Sequence, residues 1–361
     1  VTVPANPAST FASLRGAVGL SVGGGRGASM RDAVELAVAA ERGGLDLVTA
    51  GDTDSETFSL LGAVAARTQY VTLMSGIAQW TRTPPTMAAG AQTLQNLSSG
   101  RYWLGIGPMP RAWARQHGID HAPVLGRMRD YVAATRAALA ATDERPTAHE
   151  GPYFTTVGYR GRPLAPSGPI PIQLAATLPR MTALAAEIGD GVMLNAIQPL
   201  AWLRGEGAAA IAEGLERGER PREALAVGVF RFCGIDEERA AAYDHARRAL
   251  AFYFAIPYFR ALLEPYGFVD ELEAGERALA RGDQAGLVAA VSDRLVDEVA
   301  IAGTPKEALA KLRAVQAHVD YVVLSCTHAQ EARIGASQTR ALIETFGPVS
   351  LRSRQSSSRG T

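Results

Sequence analysis

The sequence predicts an α/β protein, a (β/α)8 TIM barrel with insertions after strands four and seven. Three observations lead there. Short β-rich runs alternate with longer helical segments, and alternation of this kind implies crossover connections and a parallel sheet. Eight such strand–helix units follow one another in order. With 361 residues, of which 47% are hydrophobic, there is apolar material for one large core, and barrels reach this size as single domains. An open doubly wound sheet is the alternative reading of the same rhythm.

Each unit has its own signals. The first strand is read over Gly16–Val22, followed by a glycine loop at Gly23–Gly27. The first helix starts at Ser29, with Asp32 in its first turn and Val34, Ala37 and Val38 on its apolar face. Strand two is Leu45–Ala50 and its helix runs through Phe58 to Arg67. Strand three is Tyr70–Ile77; the helix after it opens at Thr83 with Pro84 in the first turn and closes near Gly100. Strand four is Tyr102–Ile106, with helical pattern on to Thr142. Gly151–Arg162 breaks the rhythm and reads as a small extended insertion, placed at about 151–165. Strand five is Ile170–Ala175 with a helix at Pro179–Ile188, strand six Gly191–Asn195 with a helix to Arg217, and strand seven Ala226–Phe232 with a helix from Asp236 to Phe254. A second insertion at 257–297 is helical, with aromatics at its start. A helix beginning at Thr304–Pro305, strand eight at Asp320–Ser325 and a helix to Phe346 complete the set. The barrel domain is therefore expected over residues 15–348, flanked by tails at 1–14 and 349–361 whose Pro/Ala/Ser and Arg/Ser composition predicts disorder.

Composition removes several function classes. Lys+Arg equals Asp+Glu at 36 each, and no basic stripe carries interleaved aromatics, so a nucleic-acid partner is not expected. No apolar run approaches the ~18 residues of a membrane span, and the start of the chain lacks a secretory pattern. Cys233 and Cys326, the only cysteines, form neither a disulfide framework nor a metal-binding spacing, and they read as small buried residues in a reducing cytoplasm.

In a barrel the chemistry sits just after each strand. Strand two is followed by Asp52, Asp54 and Glu56, which could do acid–base work or, as Asp54 or Ser55 would, cap the next helix. After strand three, glycine at Gly76 marks a bulge or a close backbone approach, and Arg82 could pair with an anion or a carboxylate. The Gly105–Pro110 loop after strand four is not a dinucleotide fingerprint, and His117 lies a few residues beyond it. Ala176, Thr177 and Leu178 lead into a helix N-terminus where backbone N–H groups could meet a phosphate, or where Thr177 could be a plain cap. Asn195 and Gln198 after strand six are polar and uncharged. No motif for a nucleophile, a zinc site or a P-loop is present, so a cofactor is expected to carry the chemistry.

Several segments resemble the luciferase-like oxidoreductase superfamily. They are Leu97–Gly107 (LSSGRYWLGIG), Pro171–Pro179 with Leu184–Asn195, Val299–Glu307 and Val319–Leu324, which together span most of residues 16–346. The Gly-Asp-Gly-Val-Met-Leu-Asn run and the Tyr/Phe-rich second insertion are more similar to the branch that uses the deazaflavin coenzyme F420 for hydride transfer than to the branch that uses FMN and oxygen. That resemblance implies a non-proline cis peptide at Gly76–Ile77 behind the cofactor ring, ring contacts from Gln79, a phosphate turn at Ala176–Thr177–Leu178, a further cofactor contact at Asn195, and Asp52 near the ring. It also implies a homodimer.

The departures narrow the substrate. A sugar-phosphate dehydrogenase of this branch carries a histidine base, an acid and a phosphate-binding lysine where this chain has Thr53, Pro110 and Gln198. Met109 stands where glycine is usual and makes the fourth loop more apolar. The leading expectation is hydride transfer between reduced coenzyme F420 and an apolar organic molecule, with Asp52, His117 or Arg82 supplying a proton or orienting the substrate. An FMN-dependent monooxygenase is the alternative, and an inactive binding barrel the third reading.

Overall fold

The computed structural model describes residues 14–23, 29–52, 55–161, 168–326 and 332–350. Eight parallel strands close on themselves: β1 Ala17–Ser21, β2 Leu47–Ala50, β3 Thr72–Ser75, β4 Tyr102–Gly107, β5 Ile172–Ala176, β6 Gly191–Leu194, β7 Ala226–Ile235 and β8 Tyr321–Ser325. Each pairs with its sequence neighbours, and β8 pairs with β1 through Ala17 opposite Tyr321. The ring of eight has no open edge, so the open-sheet alternative is excluded. Residues 24–27 of the glycine loop, Thr53, Asp54, residues 162–165 of the first insertion and both predicted tails lie outside the described residues, apart from Leu14 and Val349–Ser350 at the inner ends of the tails.

Two cores hold this barrel. The interior is filled by Leu14, Ala17, Leu47, Met74, Trp103, Met193, Tyr321 and Val323, with Phe230 packed against them. Glycines make room for the large members. A Cβ on Gly228 would lie 2.0 Å from the Tyr321 ring, and one on Gly19 would lie 2.1 Å from Leu47. The Tyr321 hydroxyl donates to Gln173 Oε1 and so satisfies a buried polar atom. The larger core lies between the barrel and the helices, where Val18, Val48, Leu73, Leu104 and Val322 meet the apolar faces of the helix layer. Strands buried on both faces are the expected consequence of this two-core arrangement.

One device recurs at the N-terminal face. Asp46, Asp190 and Asp320 each stand just before an even-numbered strand. Each accepts the backbone N–H of the preceding strand: Val18 at 2.8 Å, Ile172 at 2.8 Å and Val227 at 2.7 Å. Arg136 and Arg222 neutralise two of them, at 3.0 and 2.8 Å. These carboxylates stabilise the end of the barrel opposite the expected site.

Helix boundaries follow their caps. Ser29 accepts from Asp32 N at the start of α1 (Met30–Arg42), and Thr83 caps α3 (Pro84–Leu97). The helix between them, α2 (Thr57–Ala65), is capped by Glu56 and not by Asp54 or Ser55. The helical stretch after β4 is split into Arg111–Gln116 and α4 (Val124–Ala140), separated by a cis Ala122–Pro123 bond. The first insertion is an antiparallel hairpin, Ala148–Glu150 with Thr155–Val157. Buried Asp130 of α4 ties it down, accepting from His149 Nε2 at 2.7 Å, Tyr153 N at 2.7 Å and Phe154 N at 2.8 Å.

After β5 comes α5 (Pro179–Ile188), after β6 come Leu200–Arg204 and α6 (Glu206–Arg217), and after β7 comes α7 (Arg239–Phe254). The second insertion supplies short helices from Pro257 to Val299. It ends in a strand that the sequence does not announce, Ala300–Gly303, which runs parallel to the outer half of β7. Helix α8 (Pro305–Gln316) then opens with a full capping box between Thr304 and Glu307, and α9 (Ala332–Phe346) follows β8. No helix among the described residues is long and apolar enough to cross a membrane.

Candidate active site

A cavity of about 1890 Å³ opens at the C-terminal ends of the strands. Ligand pockets usually measure about 300–1,000 Å³, so this one has room for a large cofactor and a second molecule together. Its floor is built by the bulged end of β3. The strand stops at Ser75, the Gly76–Ile77 peptide is cis, and pairing with β4 resumes at Ala78–Gln79. Glycine is required on both sides of the bulge. A Cβ on Gly76 would stand 2.9 Å from the Phe230 ring, and one on Gly51 would stand 2.5 Å from the Gly76 carbonyl. The Ile77 side chain lies over Gly107, where a Cβ would come within 2.2 Å of it. It forms an apolar platform in the mouth of the barrel.

The bulge is gripped by Asp52. The Asp52 N–H donates to the Ile77 carbonyl at 2.8 Å, and Gln79 Nε2 donates to the Asp52 carbonyl at 2.8 Å. The carboxylate is saturated as well: Oδ2 accepts from Gln79 N at 2.9 Å and Arg82 Nη1 at 2.5 Å, and Oδ1 accepts from Thr57 N at 3.0 Å and Arg82 Nη2 at 3.1 Å. Arg82 also donates to Glu56, and its guanidinium covers the Phe58 ring at 4.9 Å. Burial works against the Arg82 charge, but the Asp52 and Glu56 carboxylates outweigh it and raise its pKa. Glu56 is likewise held below the ordinary carboxylate range: burial opposes this, and hydrogen bonds from Ser59, Phe58 and Arg82 prevail. The three groups form a charged clamp that joins the second and third loops.

The facing wall is aromatic. Tyr253 packs between Phe232, edge-on at 5.6 Å, and Phe259, stacked at 4.9 Å, and Tyr258 meets Phe259 at 5.2 Å. Asn195 Nδ2 donates to the Tyr253 hydroxyl at 3.3 Å, and its Oδ1 accepts from Ile197 N at 3.2 Å. Burial pushes the Tyr253 phenol up despite the Asn195 bond. Between wall and floor lies the Ala176–Thr177–Leu178 turn. Leu178 is the N-cap of α5 and makes no side-chain cap bond, so the start of this helix faces the cavity uncapped. The Thr177 carbonyl accepts from Gln198 Nε2 at 2.9 Å, which fixes the turn.

The structure gathers Asp52, Gly76, Ile77, Gln79, Ala176, Thr177, Leu178 and Asn195 around this one cavity. Two of the expected residues stand outside it. Arg82 stands behind Asp52 in the clamp and does not line the cavity. His117 is the exposed C-cap of the Arg111–Gln116 helix and also stays outside. Among the described residues, the histidine that lines the cavity is His121. Its Nε2 donates to the Met109 carbonyl at 3.0 Å, and its ring meets Trp80 edge-on at 6.2 Å. A histidine within reach of the fourth loop was the available signal. Two lie four residues apart there, and only the path of the chain tells them apart.

A βα-barrel with a cavity of this size at the C-terminal ends of its strands is a scaffold on which a bound cofactor can carry the chemistry. Residues 9–320 match the luciferase-like monooxygenase family, and the chain belongs to that family. The chain is similar to the 5,10-methylenetetrahydromethanopterin reductase of Archaeoglobus fulgidus, at 29% identity over 282 residues covering 76% of this chain and 82% of the relative. It is also similar to the enzyme of the same name from Methanolobus tindarius, at 30% identity over 280 residues covering 76% and 83%. Among solved structures, the coenzyme F420-dependent tetrahydromethanopterin reductase from Methanopyrus kandleri superposes with a TM-score of 0.79 at 23% identity, covering 92% of this chain and 97% of that one. A monooxygenase from Streptomyces bottropensis superposes at 0.67 with 22% identity, covering 92% and 99%.

Proposed function

We propose that this oxidoreductase catalyses hydride transfer between reduced coenzyme F420 and an apolar organic substrate. The observation that carries the reading is the Ile77 platform, gripped by Asp52 and facing a wall of aromatic side chains. The residues fit the group. Ile77 offers a flat apolar surface, which can stand up only because position 107 is glycine. The uncapped start of α5 beside the small residues Ala176 and Thr177 suits the phosphate of a cofactor side chain.

When bound, the deazaflavin supplies or accepts the hydride. The chain's own part is to orient and to exclude water. Asp52 and Arg82 hold the platform in place, and Gln79 stands at its edge. Tyr253, Phe259 and Met109 present an apolar surface on which a substrate ring or chain is desolvated. The similarity to F420-dependent reductases supports the choice of cofactor.

An FMN-dependent monooxygenase is the second reading, and the same apolar wall favours it by keeping water from a reactive oxygen adduct. The two are separated by activity. The protein is expected to oxidise reduced F420 without oxygen when given a panel of apolar acceptors. Substrate-dependent oxygen consumption with reduced FMN, and none of the first reaction, would overturn the proposal.

A further inference from the structure

We propose that His121 transfers the proton that accompanies hydride transfer, acting through Nδ1. The inference rests on the hydride-transfer reading above and adds to it the group that completes the reaction. Moving a hydride to one end of a polarised double bond leaves an electron pair on the adjacent atom, which must take a proton.

Among the described residues, the titratable groups lining the cavity leave one candidate. Asp52 is saturated, with two donors on each carboxylate oxygen. Asp244 is paired with Arg248 at 2.8 Å. The Tyr253 hydroxyl is engaged by Asn195, and Tyr258 is 57% exposed and bonded to Thr177. Arginine does not give up its proton at neutral pH. His121 is half-buried and lines the cavity, and an imidazole can both give and take a proton through its ring nitrogens.

Its geometry sets which nitrogen works. A carbonyl can only accept, so the 3.0 Å contact with Met109 makes Nε2 the donor. In the neutral ring Nδ1 then carries the lone pair, and it has no hydrogen-bond partner among the described residues. Protonation at Nδ1 yields an imidazolium that the Met109 carbonyl stabilises from behind and Trp80 holds edge-on. A bound reduced deazaflavin would supply the hydride, with its electron pair, to the substrate carbon and would release its own ring N–H proton to solvent. The N–H bond at Nδ1 breaks, its proton goes to the adjacent substrate atom, and the neutral imidazole takes one proton back from solvent, which balances the one released.

Histidine-selective nitrogen-15 NMR on the full chain, titrated with coenzyme F420, tests this directly. The expected result is an Nε2–H tautomer for neutral His121, with an Nδ1 resonance that moves on cofactor binding while those of His117 and His318 stay. An Nδ1–H tautomer, or an Nδ1 resonance indifferent to the cofactor, would overturn it. His121→Gln keeps a donor for the Met109 carbonyl and removes Nδ1. It is expected to bind F420 within about twofold of wild type and to turn over any acceptor found for the wild type about 100-fold or more slowly. Turnover within a few-fold of wild type would also overturn the assignment. Failure of the cofactor reading is seen separately, as no change in F420 fluorescence on mixing with wild type. The same NMR titration is then run with FMN, and the tautomer and the Nδ1 shift decide the role of His121 as before.

Discussion

The two sides of the cavity are built on opposite principles. Between the second and third loops, Asp52, Glu56 and Arg82 lock the backbone through charged hydrogen bonds that leave almost no freedom. Across the mouth, Tyr253, Tyr258 and Phe259 meet through ring contacts, with a single side-chain amide from Asn195. Charged, bidentate contacts fix geometry, and aromatic contacts fill space while tolerating change of shape. The difference suggests a division of labour: the clamped side positions the reactive ring, and the aromatic side accepts whatever substrate the enzyme uses.

Breaking the clamp should have the largest effect. Arg82→Met leaves Asp52 and Glu56 facing each other without their cation. It is expected to cost about 2–4 kcal/mol in urea unfolding, somewhat less than a fully buried pair because the site is partly wet. Gly51→Ala attacks the platform sterically, since its Cβ would press on the Gly76 carbonyl and the Ile77 nitrogen. A cost of about 1–3 kcal/mol is expected, appearing as roughly a 5- to 150-fold loss of cofactor affinity in an equilibrium titration.

On the aromatic side the effects should be smaller and of another kind. Tyr253→Phe removes the Asn195 bond, which is worth about 0.5–1.5 kcal/mol. Its effect is expected on KM for the acceptor, with cofactor affinity unchanged. A cofactor affinity that fell as far as in Gly51→Ala would erase the division between the two walls.

Of the two walls, acid should act on the clamp, and weakly. Glu56 is held below its ordinary value of 4.5 in the folded protein. Its contribution is therefore complete above that value and is lost only as pH falls through the lower folded pKa. Cofactor affinity should stay flat through the neutral range and decline only in strong acid. A decline beginning near neutrality would place its cause elsewhere.

What the sequence makes legible divides along a similar line. Features written in neighbouring residues are readable. Thr83–Pro84 and Pro179 mark helix starts, Ser29 its cap, and the strand–helix rhythm the barrel. The platform at Gly76–Ile77 is reached through resemblance, since nothing in two residues announces a cis bond. What escapes depends on contacts distant in sequence. Asp52 looks like a free acid because Arg82, which could pair with a carboxylate, stands thirty residues away and does not say which one it holds. The Ala300–Gly303 strand is four residues long and defined only by its pairing with β7, so its residues alone do not tell it from a loop. The aspartates before β2, β6 and β8 repeat openly in the chain, and their common role appears only once the preceding strand is seen above each. His121 escapes for the same reason: closeness to the strand end favours His117, while the path of the chain brings His121 to the cavity.

Everything proposed for this site depends on the clamped platform seating a deazaflavin ring. Equilibrium binding of coenzyme F420 and of FMN to the same protein puts that to the test. Saturable micromolar binding of F420 is predicted, weakened by Gly51→Ala and left intact by Tyr253→Phe. Micromolar binding of FMN with no binding of F420 would contradict it.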